Sequence, residues 1–445
     1  MAKRGFVYNS GPQGSLNVVL CLYTLLFYLL TPLILLRLWW RGRRAPAYRL
    51  RWRERFGFGY ATALPQLESS IWVHAVSVGE TLAARPLVDA LLQRYPGQRL
   101  LLTTMTPTGS ERVRAIWGER VAHVYAPYDL PAAQRRLLRR ARPRLLVIME
   151  TELWPNMLHE ARKAGVPVLL ANARLSERSA RGYARVGALS RGLLADLSLV
   201  AAQDDAGAGR FRELGMPAEK VVVCGSIKFD IQMPDDLSSE TEKLNHDWQL
   251  QGRHVLVAAS THAGEDQPVL DAFRTLREQW PSALLILVPR HPERFDDVAK
   301  LVERSGLSYV RRSSEAAVRP ETAVLLGDSM GELLRWFALA DTAFVGGSLV
   351  PVGGHNMLEP LAFGLPTVMG PHLFNFQTIA AELQAAEALT VVADAAGLAG
   401  AIAALWQQHE LAARQRAAGL AVLERNRGAL ARQLELIATL LAGTA

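Results

Sequence analysis

Three stretches of this chain place reactive side chains where an apolar run breaks. "WVHAVSVGET" (72–81) breaks at Gly79 and sets a carboxylate, Glu80, at the break. Such a carboxylate can simply favour a helix N-terminus, whose free N–H groups carry partial positive charge, or it can take a proton from a substrate. "LVPRHPERF" (287–295) puts Arg290 and His291 directly after a strand-like run. A guanidinium there suits a phosphate, because its fixed donors match two phosphate oxygens. "FVGGSLVPVGGHNMLEPLAFGLP" (344–366) places two Gly-Gly pairs around a short loop that enters a helix, with Asn356 at its start and Glu359 three residues on. Gly353 and Gly354 permit close backbone approach, the helix N-terminus favours a phosphate, and a carboxylate one turn in can accept from both hydroxyls of a ribose. A capping-box variant also explains Asn356 and Glu359. The glycines, taken with Arg290, favour a nucleotide site.

Weaker signals surround these. "LGDSMGELLRWFALAD" (326–341) reads as strand, polar turn and helix, leaving backbone N–H groups around Met330, Gly331 and Glu332 for a base or phosphate; helix capping alone would also justify it. "ETELWPNML" (150–158) carries Glu150 and Glu152 at i and i+2, so in an extended loop only one can face a site, and Glu150 is preferred. Lys228, at the end of "GSIK", offers a cation or an ordinary surface ion pair. "QRRLLRRARPR" (134–144) reads as a solvated basic helix face, with anionic lipid head groups as the functional alternative. No metal-ligand spacing is visible: the acidic pairs Asp204/Asp205 and Asp296/Asp297 lack the Asp-x-Asp arrangement, and His74, inside a strand, reads as a core or wall residue.

The elements that must position these residues are short Leu- and Val-rich runs alternating with longer amphipathic ones. Apparent strands are 71–76, 99–104, 144–149, 167–172, 197–202 and 221–225, then 254–260, 283–289, 322–327, 342–347 and 366–370. Continuous rather than alternating hydrophobicity implies parallel sheets covered by helices on both faces. In such sheets ligands bind beyond the C-terminal strand ends, where the residues above lie. The α/β reading is two Rossmann-like domains facing across a cleft: an anchor and basic flank (1–44), a first domain (45–232), a linker (233–253), a second domain (254–425) and a C-terminal helix (426–445).

Charge bounds the function class. The chain is +8 overall, yet residues 1–60 hold ten Lys/Arg against the single acid Glu54, so the remainder sums to −1. The basicity is local and gives no argument for nucleic acid. Leu16–Leu36 contain no charge and suffice to cross about 30 Å of hydrocarbon. "RLWWRGRR" follows, with aromatics at the interface and arginines beyond, which fits an uncleaved anchor with the body on the cytoplasmic side. A re-entrant or monotopic helix kinked at Pro32 is the alternative. Two cysteines, Cys21 and Cys224, make no disulfide framework.

Six ordered motifs, "SVGE" (77–80), "ETELWPN" (150–156), "NARLSERS" (172–179), "GSIKFD" (225–230), "LVPRHPERF" and "GGHNMLEPLAFGLP", together resemble the Kdo transferases of lipopolysaccharide synthesis. The resemblance covers nearly the whole chain, apart from a longer N-terminal extension over the first 15 residues. It implies the GT-B fold, residence at the inner (cytoplasmic) membrane, and inverting transfer of Kdo (3-deoxy-D-manno-oct-2-ulosonic acid). The donor would be CMP-Kdo, a co-substrate, the acceptor a lipid A precursor (lipid IV-A), and no cofactor or catalytic metal would take part. Carried over motif by motif, Pro289, Arg290, Met330, Gly331, Glu332, Asn356, Met357, Leu358 and Glu359 would contact CMP. Glu80 would be the general base, with Glu150 and Lys228 assisting at the transition state. Rivals are a nucleotide-sugar epimerase, a UDP-dependent lipid A disaccharide synthase, and a non-enzymatic membrane scaffold.

Glu80 then poses a conflict. Pro86 is expected to confine the following helix to a nearby start, leaving Glu80 at its margin. A helix N-terminus would lower the Glu80 pKa and weaken it as a base, so the anionic donor is expected to push it back up.

Overall fold

The computed structural model describes residues 12–60, Leu64, Leu67, 69–231 and 237–443. Most of the N-terminal extension (1–11) and residues 232–236 of the expected linker lie outside the described residues. The chain divides into two units, 1–230 with 428–445, and 231–427.

In the first unit, strands β1 (Ser70–His74), β2 (Arg99–Thr104), β3 (Ala122–Tyr125), β4 (Pro143–Met149), β5 (Val168–Ala173), β6 (Leu199–Ala202) and β7 (Val221–Val223) form one sheet in the order β3-β2-β1-β4-β5-β6-β7. Every pairing is parallel. Helices on both faces bury it: Trp72, Leu146 and Leu170 pack on one side, Ile71, Val147 and Leu169 on the other. This explains why the strands read as unbroken apolar runs. β3 escaped the sequence reading because "AHVY" is short and carries a polar His123.

The second unit repeats the plan with β8 (Val255–Thr261), β9 (Leu284–Pro289), β10 (Tyr309–Arg311), β11 (Val324–Leu326), β12 (Thr342–Val345), β13 (Thr367–Met369) and β14 (Leu389–Val391), ordered β10-β11-β9-β8-β12-β13-β14 and all parallel. The two strands missed here, β10 and β14, are three-residue edge strands containing Arg311 and Thr390. From β1 and β4 in the first sheet, and from β8 and β12 in the second, neighbouring strands lead the chain to opposite edges of the sheet. Those are the switch points where doubly wound sheets bind ligands.

Three expectations change. The supposed linker contains a helix, Leu237–Asp247, belonging to the second unit, where Leu237 and Thr241 are buried. The last helix, Ala429–Ala442, belongs to the first unit: Ala429, Leu430, Ile437 and Leu441 join the core under β1, β4 and β5. Asp230 holds it there, accepting from the N–H groups of Gly428 (2.7 Å) and Leu430 (2.6 Å). The helix carrying Glu80 spans Val78–Arg94 with Pro86 inside it, so Glu80 lies in its first turn and not at a margin set by the proline.

The apolar N-terminal run lies in one helix, Pro12–Arg44, in which Val18–Arg43 are long and apolar enough to cross a membrane. One stripe of it exposes Leu22, Leu25, Leu29, Leu33 and Leu36. It is also pinned to the first unit. Tyr23 Oη donates to Asp129 Oδ2 and Thr24 Oγ1 donates to Asn156 Oδ1, both at 3.0 Å, and Phe27 packs near Tyr128.

Candidate active site

Glu80 is held by a capping box. Its N–H donates to Ser77 Oγ (3.3 Å), while its carboxylate accepts from the Val76 N–H (2.8 Å) and from Ser77 Oγ (2.9 Å). The bland role is therefore real, yet the group is buried and its pKa is pushed up to about 7. Burial is the main cause; the bonds from Val76 and Ser77 pull it down, and the charges of Glu152 and Glu150 add to the rise. The expectation of a base lowered by its helix and rescued only by donor is corrected. Desolvation by the protein itself outweighs the helix terminus, and a proton acceptor matched to neutral pH is already present.

Glu150 follows β4, across the switch point from Glu80. Its backbone is left-handed (φ 58°), a conformation costly for a residue with a side chain. Its N–H donates to the Ala171 carbonyl at 2.9 Å, and Lys228 Nζ stands 3.6 Å from Glu150 Oε1. The loop is thus a turn and not extended. Glu152 accepts from Trp154 Nε1 (3.2 Å) yet acts on Glu80 at least as strongly as Glu150 does, so both carboxylates face the same region, and Trp154 packs edge-on against His74 at 4.9 Å. His74 is a wall residue: fully buried, with its pKa pushed down to about 3 by burial and Nδ1 2.8 Å from Thr103 Oγ1.

Lys228 sits in a 3-10 turn, Ile227–Phe229, past the end of β7 and not at the strand's end. Two residues that sequence reasoning gave no role set its place. Asn172 Oδ1 accepts from the Ile227 N–H (3.2 Å), and the Asn172 N–H donates to Gln433 Oε1 (3.0 Å) from the last helix. Asn172 lies in "NARLSERS", but Gln433 carried no signal, since nothing in an Ala/Leu-rich helix announces which glutamine reaches back. The basic helix, Pro131–Ala141, spends its arginines locally: Arg135 pairs with Glu160, Arg136 donates to the Phe56 carbonyl, and Arg140 to that of Leu64.

In the second unit, Pro289 ends β9 and Arg290 follows, its N–H bonded to the Thr261 carbonyl (3.0 Å). Among the described residues no carboxylate pairs with the Arg290 guanidinium. Arg311 from β10, with Arg312 and Ser313 beyond it, braces "GDSMGE". Asp328 accepts from Arg311 Nε (2.6 Å), the Ser313 N–H (2.8 Å) and Ser313 Oγ (2.6 Å). Glu332 accepts from Arg312, Arg335 and Ser329. Burial pushes the Glu332 pKa up, but the bonds from Arg312 and Ser329 prevail and hold it below the ordinary range. Gly331 takes a left-handed φ of 87°, while Met330 is exposed. These arginines were legible as charge and illegible as braces, because β10 itself was not recognised.

The glycine loop is built differently from its sequence reading. Glu265, fully buried and unremarked in the sequence, accepts from the N–H groups of His262 (2.8 Å), Gly347 (2.6 Å), Ser348 (2.9 Å) and Leu349 (2.8 Å). An internal carboxylate therefore already fills the amide cradle after β12. Gly353 is where close approach matters: its φ is 107°, and a Cβ there would meet Asn375 and Phe374 at 2.5 Å. Asn356 Nδ2 donates to Glu359 Oε1 (3.0 Å) and Asn356 Oδ1 accepts from the Leu358 N–H (3.2 Å). Met357 and Leu358 are fully buried, main chain included, and the Leu358 N–H is taken by Asn356. The helix they enter is a single turn, Leu358–Ala362. Among the described residues no cluster of three or more His, Cys, Asp or Glu has metal-binding geometry.

The geometry can be set beside known proteins. The family model for 3-Deoxy-D-manno-octulosonic-acid transferase (kdotransferase) matches residues 50–231. The chain is 44% identical over 418 residues to the 3-deoxy-D-manno-octulosonic acid transferase of Haemophilus influenzae, spanning 93% of this chain and 97% of that protein. With the Bordetella pertussis protein of the same name it shares 42% over 384 residues, 84% of this chain and 88% of the other. A solved glycosyltransferase from Rickettsia africae matches in fold alone, with a TM-score of 0.51 and 14% identity over 84% of this chain and 99% of that one. Two parallel seven-stranded Rossmann-like units give the GT-B fold, and the identity running through both units decides the activity class: the chain belongs to the 3-deoxy-D-manno-octulosonic acid (Kdo) transferase family, whose members are glycosyltransferases.

Proposed function

We propose that the protein transfers Kdo from CMP-Kdo to a lipid A precursor, lipid IV-A, with inversion at the anomeric carbon and with Glu80 as general base. The observation that carries this reading is Glu80 itself: a buried carboxylate with a pKa of about 7 at the switch point of the first sheet. An acceptor hydroxyl attacks the anomeric carbon and its proton passes to Glu80 while CMP leaves from the opposite face. Glu150 offsets positive charge developing on the sugar, and Lys228, 3.6 Å from it, orients Glu150. In the second unit, Arg290 takes the phosphate. Pro289, Met330, Gly331, Glu332, Asn356, Met357, Leu358 and Glu359 frame the nucleotide. In this reading arginine, lysine and backbone N–H groups supply the positive charge that a metal supplies to diphosphate donors, so neither metal nor cofactor takes part.

The acceptor is a membrane lipid, which gives the N-terminal helix its purpose. We place the body on the cytoplasmic side of the inner membrane, from the arginines that follow the apolar run. Tyr23 and Thr24 lie inside the apolar run and bond to the first unit, which fits the monotopic alternative, a helix lying in the membrane face with the first unit on the lipid surface, and not a helix that crosses the bilayer. The test is purified enzyme with CMP-Kdo and lipid IV-A, read by product mass, beside UDP-sugars as donors. Product from a UDP-sugar and none from CMP-Kdo would overturn the donor assignment.

A further inference from the structure

Lys228 and Glu150 stand 3.6 Å apart with side chains 30% and 31% exposed. An ion pair that open to solvent contributes little to its own geometry, and a lysine side chain has many rotamers. What fixes the pair must therefore be the backbone beneath it, and that backbone converges on one residue. Asn172 follows Ala171, whose carbonyl accepts from the Glu150 N–H (2.9 Å). Its own Oδ1 accepts from the N–H of Ile227 (3.2 Å), the residue before Lys228. The Asn172 N–H donates to Gln433 Oε1 (3.0 Å), and its carbonyl accepts from Gln203 Nε2 (2.8 Å).

We propose that Asn172, held from behind by Gln433 of the last helix, is a positioning residue that sets Lys228 against Glu150 for sugar transfer. This rests on the roles proposed above for Glu150 and Lys228. Asn172 is fully buried and left-handed (φ 51°), as is Glu150 (φ 58°) at the end of the neighbouring strand. A side chain at such a φ costs free energy that glycine avoids, so what the asparagine adds is its amide. Of that amide only the oxygen is used, since Nδ2 is buried and has no partner among the described residues. The orientation follows from the partners: a backbone N–H only donates, so the atom facing Ile227 is oxygen, and so is the Gln433 atom facing Asn172.

The last helix holds the same turn from both flanks. Arg432 Nε donates to the Cys224 carbonyl (2.8 Å) ahead of Lys228, and Asp230 beyond it takes the N–H groups of Gly428 (2.7 Å) and Leu430 (2.6 Å). Between them Ser226 Oγ accepts from the Lys228 N–H (3.4 Å). Deleting the Asn172 oxygen frees the Ile227 N–H in the middle of this turn, and a shift of about 1 Å at a reacting group is costly in rate.

The test is a double-mutant cycle in the full-length enzyme, with CMP-Kdo and lipid IV-A as substrates and kcat and KM as readouts. Asn172→Gly keeps the left-handed backbone and the N–H to Gln433 but removes the oxygen. It should lower kcat roughly tenfold and change the KM for CMP-Kdo by less than about twofold. In a Lys228→Ala background the same substitution should cost no more than about a further twofold, because nothing remains to be positioned. Gln433→Leu should likewise lower kcat in wild type and not in the Lys228→Ala background, and it decides the matter if Asn172→Gly does not fold. Losses that multiply in the double variant mean that Asn172 acts independently of Lys228; they overturn the proposal and leave the role of Lys228 standing. Wild-type kcat in Asn172→Gly does the same. Wild-type kcat in Lys228→Ala overturns the role of Lys228, and the proposal with it.

Discussion

The two units share one scaffold and arm it oppositely. At the switch point of the first sheet stand carboxylates: Glu80 after β1 and Glu150 after β4, with one paired lysine, Lys228. At the switch point of the second stand imidazoles and a guanidinium, His262, His355 and Arg290. In both, burial is the largest influence on the titrating groups, and it disfavours charge. It raises Glu80 to about 7 and lowers His355 to about 4. The same physics thus holds a proton on the carboxyl more tightly in one unit and keeps the imidazoles neutral in the other. Fold provides dry strand ends; the residue type placed there decides whether burial raises or lowers the pKa.

The sharpest way to break this contrast is Glu80→Gln. Loss of a general base should lower kcat by about 10²–10⁴-fold, with CMP affinity little changed, measured by product formation and calorimetry. Wild-type turnover in this variant would remove the base assignment. Next comes Glu265→Ala, which frees four N–H groups in the second unit. A stability loss of about 3 kcal/mol should appear in denaturant unfolding, because buried donors are left unpaired. Lys228→Ala should lower kcat by roughly 10–100-fold by releasing Glu150, and unchanged kcat would reduce the 3.6 Å pair to a surface contact.

The pH profile follows from the direction of the Glu80 shift. Its pKa is raised, and a base works only when deprotonated, so kcat/KM should fall about tenfold per pH unit below about 7 and level off above it. A profile flat down to pH 5 would contradict a base with this pKa. The smallest effect is on stability. A raised carboxyl pKa means the folded state binds the proton more tightly, so this group's cost to folding grows as pH rises from its ordinary range through about 7. Glu80→Gln should therefore raise Tm at pH 8 by about 3 °C, and by less at pH 5.

Much of this was legible in the chain. Strands buried on both faces are written as continuous apolar runs, which is why eleven of the fourteen strands and both parallel sheets could be read, and their ends located Glu80, Glu150, Arg290 and the glycine loop. What escaped were short edge strands such as "YVR", and the helix at 237–247, whose apolar face is too narrow to show a period. Pro86 misled because a proline inside a helix usually marks a boundary, yet here the helix runs through it.

The sequence by itself determined the fold class, the order of the elements, the local character of the basic charge and the residue types at each strand end. These depend on local periodicity and on which residue follows which. Tertiary structure alone decided which of those residues act together. Glu265 fills the cradle that the glycines seemed to leave for a ligand, and Gln433 reaches Asn172 from a helix 261 positions away. His262 Nε2 and His355 Nε2 come within 2.7 Å across 93 positions. It also decided the pKa of Glu80, because desolvation depends on everything packed around a group, whereas a helix terminus can be read from its neighbours.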